Sequence, residues 1–344
     1  MIQIYSTQQK KLLDKVFKNK TILITGGTGS FGKAFVYRLL EFKNIKKIII
    51  FSRDELKQEI FRLEKKIIKD KRIRFIIGDI RDSQSLNTAF QNVDYVIHAA
   101  ALKQVVTAEY NPFEFIKTNV LGSQNIIEAS LKNNIKNVIA LSTDKASSPI
   151  NLYGATKLCS DKLFVSAQNL VGRKKIKFSV VRYGNVMSSR GSVIPKMKDD
   201  IEKYNKIFIT HNNMTRFNIT LQESVNFVMN SLLKSRGGEI FIPKLPSYKI
   251  MDLARAINKK VLIDIMGIRP GEKMHEEMIS SSDSSNTIEF KNYFVIIPSN
   301  HPNVFNTYSR KKFKFVKDNF QYSSGDNSHF LTISEIKKII KSFN

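Results

Sequence analysis

The sequence predicts an α/β protein, a doubly wound parallel sheet of the Rossmann type followed by a smaller C-terminal substrate lobe. Three observations predict it. Apolar, β-rich runs alternate with helical patterns through the first half of the chain. The first such run ends in a glycine-rich turn that opens a helix. Beyond about residue 186 the alternation loosens into loops, single strands and amphipathic helices. With 344 residues and 42% hydrophobic content, the chain is long enough to bury a large core and a second lobe.

Taken in order, residues 1–18 form an N-terminal extension with no assigned role. The strand runs are TILITGG (21–27), KKIIIFSR (46–53), IRFIIGD (73–79), YVIHAAA (95–101), NVIALST (137–143) and KFSVVRYGN (177–185). Runs that are apolar on both faces and separated by helices imply a parallel sheet covered on each side, with ligands at the carboxyl ends of its strands. Residues 19–186 are therefore read as a dinucleotide-binding domain that also carries the catalytic groups. Residues 187–344 are read as mainly substrate-binding, with some segments returning to the first core. There TRFNITLQESVNFVMNSLL contains a helix, EIFIPK a strand and SYKIMDLARAI a helix, while ISSSDSSNT is a short polar loop. No internal repeat or low-complexity linker interrupts the chain.

The ends of these strands carry the chemistry. Gly26, Gly29 and Gly32 follow the first strand in the spacing that lets a pyrophosphate approach backbone N–H groups and a helix N-terminus. Thr28, Ser30 and Phe31 complete this cofactor cradle. The second strand ends in Ser52 and Arg53, with Asp54 next and Lys57 one turn on. Cations ahead of a carboxylate favour the 2′-phosphate of NADP over the 2′-hydroxyl of NAD. Asp54 either caps the helix or touches ribose. Asp79, followed by Ile80, either accepts from the adenine amino group or leads a helix. Ala99, Ala100 and Ala101 are small where a dinucleotide lies close to backbone, Lys103 turns a cation toward the cleft, and Asn119 is assigned to the cofactor.

The fifth strand leads into Thr143, Asp144 and Lys145, and then to Tyr153 and Lys157. The i, i+4 spacing places phenol and ammonium on one helix face, where a cation favours phenolate and makes tyrosine a usable base. Thr143 stands ready to bond a substrate hydroxyl. Asp144 and Lys145 are either a surface ion pair or the additional acid and base that a dehydration beside a ketone requires.

Composition excludes several classes. Lysine plus arginine outnumber acidic residues 56 to 30, for a net charge of +26. The lysines recur among Ile and Asn without an arginine–aromatic platform, so they read as solvated faces and no nucleic-acid partner is expected. No apolar run approaches the roughly 18–20 residues of a membrane span, and the N-terminus has no apolar core of a signal peptide, so a cytoplasmic protein is expected. The single cysteine, Cys159, excludes an internal disulfide and a cysteine zinc cluster, and is expected to be a structural thiol. No metal site is expected.

The glycine turn together with Tyr-x-x-x-Lys resembles the extended short-chain dehydrogenase/reductase superfamily. Over about residues 19–280, the motifs ITGGTGSFGK, SRDELKQ, GDIRD, HAAALK, AEYNP, STDKA, NLYGATKLCSDKLFVSA, VVRYGNV, SRGSVIP, MTRFNITL, GGEIFIPK and GIRPGEKMHE resemble one branch of it. That branch is the inverting UDP-N-acetylglucosamine 4,6-dehydratases, which open pseudaminic acid biosynthesis and flagellin or other surface glycosylation. The resemblance implies tightly held NADP, a UDP-amino-sugar substrate and a homo-oligomer, commonly a hexamer. It also implies that Asn185, Val193, Arg216, Arg269 and Glu272 hold the nucleotide-sugar alongside Lys103 and Thr143.

Asp144-Lys145, where dehydratases of plain hexoses carry Asp-Glu, and Tyr153, where retaining amino-sugar dehydratases often carry methionine, both favour the inverting branch. Gln104, Ser188, Lys196, Met197 and Asn218 depart from its pattern in positions expected to shape the sugar pocket. The rivals are a retaining dehydratase, a UDP-sugar 4-epimerase with no use for Asp144-Lys145, and a non-enzymatic NADP-sensing or nucleic-acid-binding protein.

Overall fold

A computed structural model describes residues 7–187, 193–299, 301–309 and 311–342. Its centre is a nine-stranded sheet. The strands β1 (Thr21–Thr25), β2 (Lys47–Ser52), β3 (Ile73–Ile77), β4 (Tyr95–His98), β5 (Asn137–Thr143) and β6 (Lys177–Tyr183) lie in the order β6-β5-β4-β1-β2-β3, all parallel. Every residue of β1 is buried, as expected of a strand covered on both faces. The edge strand β3 buries only Ile73 and leaves Ile77 exposed.

The order reverses between β1 and β4, where Thr25 is in register with His98. A crevice opens outside the strand ends at such a reversal, and this is where α/β sheets hold ligands. Three strands from the second half extend the same sheet beyond β6. Ile240–Pro243 pairs parallel with β6, Tyr293–Ile296 pairs antiparallel with Ile240–Pro243, and Thr287–Glu289 closes the edge. The helix Thr7–Phe17 also belongs to this body, because Leu13 and Phe17 are buried in its core.

A second, smaller core gathers Met187, Ile194, Met197, Ile207, Tyr248, Leu253 and Ile336. It is framed by the helices Val193–Tyr204, Ile250–Ile257 and Ile333–Lys341 and by the parallel pair Lys206–Ile209 with Leu262–Ile265. Met197 is thus a core residue of this lobe, while Lys196 beside it is exposed. Ser188 lies outside the described residues. Among the described residues no helix is long and apolar enough to cross a membrane. Cys159, expected to be a structural thiol, is instead exposed, because it falls on the outer side of the helix Leu152–Ala167.

Candidate active site

The glycine turn after β1 takes the form a phosphate cradle requires. Gly26 adopts φ +64, and a side chain there would bring its first carbon to 2.9 Å from the backbone of Ala100. A carbon at Gly32 would stand 2.5 Å from Gly27 Cα. Gly29 caps the helix Ser30–Leu40 with no side-chain bond, so no cap side chain stands between that helix N-terminus and a ligand. These features fit a dinucleotide pyrophosphate lying close to backbone. Ala99 and Ala100 close the other side through backbone N–H bonds to Thr25 Oγ1.

At the tip of β2, Asp54 accepts from Lys57 N at 2.9 Å and caps the helix Glu55–Arg62, with the Lys57 ammonium against the same carboxylate. Of the two roles left open for Asp54, the structure shows the cap. Ser52 is buried and receives Gln58 Nε2 on its hydroxyl at 3.1 Å. Arg53 is more than half exposed, with its guanidinium 3.7 Å from Asp79. Burial of Asp79 is outweighed by its bonds to Arg81, which hold its carboxyl below the usual range. Ile80, the next residue, is buried in the core.

Asn119 sits in a π-helical turn, Ile116–Leu121, and is buried. Its amide bonds both backbone groups of Leu102 at 2.9 Å and reaches Thr156 Oγ1 at 3.1 Å. It therefore fixes the loop after β4, which carries Lys103 and Gln104, against the helix that carries Tyr153.

That helix starts at Leu152 because Asn151 caps it, accepting from Gly154 N at 2.8 Å. Asn151 also donates to Gly271 O at 2.7 Å, tying the helix start to the loop of Arg269 and Glu272. Tyr153 and Lys157 share a buried face, as their spacing requires. The expected effect of Lys157 on the phenol does not appear. Lys157 Nζ donates instead to Leu141 O at 2.8 Å, and burial pushes Tyr153 up to about 12. Lys145 and a bond from Thr143 pull the other way without prevailing. Spacing put the two side chains on one face but did not fix where the flexible lysine points.

Asp144 and Lys145 are not a surface pair. Asp144 is fully buried, accepts from Thr143 Oγ1 at 2.9 Å and meets Lys145 Nζ at 3.1 Å. Burial, aided by Glu276, raises the Asp144 carboxyl above the ordinary range even though Lys145 opposes it. Burial also works against the Lys145 ammonium, but the Asp144 and Glu276 carboxylates outweigh it and leave its pKa above the ordinary lysine value.

Glu276 is the residue that sequence inspection missed. It lies in the motif GIRPGEKMHE, and its Oε1 stands 2.8 Å from Lys145 Nζ and 3.5 Å from Arg216 Nε. Arg216, buried on the strand Thr215–Ile219, also faces Glu272 at 3.6 Å, and Glu272 in turn stands 3.9 Å from Arg269. The lobe thus delivers Arg216, Glu272 and Glu276 to Thr143, Asp144 and Lys145 in one continuous polar cluster. Asn185 sits on a short strand in register with buried Asn218, and Val193 begins a lobe helix. Among the described residues, neither makes a hydrogen bond to that cluster. The one signal for Glu276 was an acid in a motif already rich in candidate ligands.

Comparison with known proteins follows the same lines. A family model described as "Polysaccharide biosynthesis protein" matches residues 22–298. The chain is 52% identical over 331 residues to the "UDP-N-acetylglucosamine 4,6-dehydratase (inverting)" of Campylobacter jejuni serotype O:23/36, covering 94% of this chain and 98% of that protein. It is 41% identical to a "UDP-glucose 4-epimerase" of Rickettsia bellii, with 94% and 96% covered. Among solved structures, Pen from Bacillus thuringiensis superposes with a TM-score of 0.86 at 36% identity, covering 95% of this chain and 98% of that one.

Proposed function

The chain belongs to the polysaccharide biosynthesis protein family, of extended short-chain dehydrogenase/reductase fold, and from that premise we propose that it is an inverting UDP-N-acetylglucosamine 4,6-dehydratase using NADP. The observation that carries the reading is the Thr143–Asp144–Lys145 cluster, built on the buried Asp144, beside Tyr153. A 4-epimerase needs a base for one hydroxyl and has no work for a second acid and base. The C. jejuni relative, named for the dehydration, supports the same choice over the epimerase named in R. bellii.

The glycine cradle and the tip of β2 hold the dinucleotide, with Arg53 and Lys57 as the cations for a 2′-phosphate. When bound, the nicotinamide would supply the hydride acceptor for oxidation at C4 and the hydride donor for reduction at C6. Tyr153 takes the C4 hydroxyl proton, helped by the Thr143 bond and the Lys145 charge that favour phenolate. Lys145 carries a proton in this arrangement, so it must pass that proton to the Asp144 carboxylate, 3.1 Å away, before its amine removes the acidified C5 hydrogen. Asp144, whose carboxyl burial pushes above its ordinary range so that it holds a proton more readily, then donates that proton to the C6 hydroxyl as it departs. A proton from solvent, delivered to C5 from the face opposite Lys145, then gives the inverted 4-keto-6-deoxy sugar. Arg216 and Arg269 bond the diphosphate and Glu272 a ribose hydroxyl, with Lys103, Asn185 and Val193 completing the nucleotide-sugar site.

The product is suited to an amino-sugar pathway such as that of pseudaminic acid, and we assign the active species as a homo-oligomer, which light scattering tests. The decisive experiment is incubation with UDP-N-acetylglucosamine deuterated at C4, followed by NMR. Deuterium is expected at C6 of the product, with inverted configuration at C5 and no net change in NADP. Stoichiometric release of free NADPH, or a product epimerised only at C4, would sink the reading.

A further inference from the structure

We propose that Glu276 is a positioning residue that acts through Lys145, one of its two buried oxygens tying the lysine to Arg216 and fixing where the amine stands. The inference rests on the dehydratase reading above, since Lys145 is there the group that meets C5.

Three observations carry it. Glu276 Oε1 serves both cations at once, 2.8 Å from Lys145 Nζ and 3.5 Å from Arg216 Nε. The side chain is 2% exposed and its second oxygen is buried with no hydrogen-bond partner in the described structure, so solvent does little to screen the charge. The backbone around it is also pinned. Glu276 N donates to Ser324 Oγ at 2.9 Å and Ser324 N donates back to Glu276 O at 2.8 Å. The same Ser324 hydroxyl pairs with Thr215 Oγ1 at 2.8 Å, one residue before Arg216. The strand Glu277–Ile279 continues this clamp by pairing with Tyr322–Ser323. Acid and arginine therefore hang from one scaffold, and Lys145 reaches across to it from the end of β5.

The groups around Lys145 set the direction of the effect. Asp144 faces it from its own turn, Tyr153 from the helix Leu152–Ala167, Arg216 from its strand, Tyr248 from the strand Ser247–Lys249, and Lys273 with Glu276 from the loop after Gly271. Asp144 and Glu276 are the two carboxylates that hold the proton on Lys145, and of the two only Glu276 has its own carboxyl held below the ordinary range. Neutralising Glu276 lowers the pH at which Lys145 gives up its proton. It also lowers the Asp144 value, because Glu276 is one of the charges that raise it.

The test is Glu276→Gln, which keeps shape and removes charge, with Glu276→Asp as the conservative partner. Without substrate, the pH dependence of Lys145 acetylation by acetic anhydride, read by mass spectrometry, is expected to move down by about one pH unit or more in Glu276→Gln. With UDP-N-acetylglucosamine in D2O, the limb of the C5-exchange profile that reports Lys145 is expected to move in the same direction. Hydride transfer from C4, which depends on Tyr153, is expected to stay within about threefold. Glu276→Asp, whose charge is retained one methylene farther back, is expected to recover most of the wild-type midpoint, and it carries the test if the glutamine variant folds poorly. An unmoved labelling midpoint together with an unmoved exchange limb overturns the proposal. Failure of the wild-type protein to consume the sugar overturns the dehydratase reading instead, so the two failures are distinguishable.

Discussion

Lys145→Met separates the two halves of the proposed chemistry and carries a stability cost that the structure sizes. The ammonium lies 2.8 Å from Glu276 and 3.1 Å from Asp144, and its side chain is 22% exposed against 2% and 1% for the two acids. Breaking a buried pair by removing one partner typically costs about 3–5 kcal/mol, because a buried charge is left behind. Arg216 remains 3.5 Å from Glu276 and Asp144 is already pushed toward neutrality, so the expected loss is at the lower end, about 3 kcal/mol. At about 2 °C per kcal/mol for a chain of this size, the melting temperature should fall by about 6 °C. The sign with pH follows from linkage. The folded pKa of Lys145 lies above its unfolded value, so its stabilisation is present in full below about 10.4 and is lost as pH rises through the higher folded value. The gap between wild type and variant should therefore persist through neutral pH and close only in strong alkali. Product formation should drop by about 10²–10⁴-fold, the range for loss of a general base. Transient reduction of NADP should survive, and exchange of C5 hydrogen with D2O should stop. Circular dichroism melts, stopped-flow absorbance and NMR read the three effects. Near-normal C5 exchange and product formation would refute the reasoning and place the base elsewhere.

Arg53→Ala should weaken NADP binding about tenfold or more while sparing NAD, because a charge-assisted phosphate contact is lost; equal losses by calorimetry would reject the NADP assignment. Gly26→Ala forces a side chain into φ +64 and against the Ala100 backbone at 2.9 Å, so dinucleotide affinity should fall sharply in a fluorescence titration. Unchanged affinity would show that the turn does not form the cradle. Burial, with a smaller push from Lys157, lowers His98 to about 3, and its Nδ1 pairs with Thr25 Oγ1. Its stabilisation is therefore full above about pH 6.5 and is lost as pH falls toward the folded value, by up to about 1.4 kcal/mol per pH unit. Urea titrations across that window should show a shallower acid loss in His98→Gln than in wild type, and parallel curves would contradict the buried neutral imidazole.

Parts of the fold and site were legible because local sequence determines them. The run TILIT reads as a doubly covered strand and is buried throughout, and the glycines after it announce a backbone that something approaches closely. The adjacency of Asp144 and Lys145 and the four-residue step from Tyr153 to Lys157 likewise survive folding, since neighbours on a turn or on one helix face stay together. What depends on reach did not show. Lys157 has four rotatable carbons between backbone and charge, and its helix face does not reveal that the ammonium bonds Leu141 O and not the phenol. Cys159 was read as a structural thiol on a helix from the cysteine count alone, and on its helix it is exposed. Glu276 was the hardest case, because nothing local distinguishes it from Glu277 beside it. Its burial follows from a return of the chain through residues 322–324, whose strand pairing and Ser324 bonds turn one acid of the pair into the cleft, while the other bonds Ser147 and Ser148. A physical signal did exist in the requirement for charge balance. A lysine and an arginine brought together out of water need more negative charge than a single aspartate can give, above all when burial drives that aspartate toward its neutral form. The missing counter-charge therefore had to come from the lobe, and the GEKMHE segment that supplies it is the same one that carries the proposed ribose-binding acid.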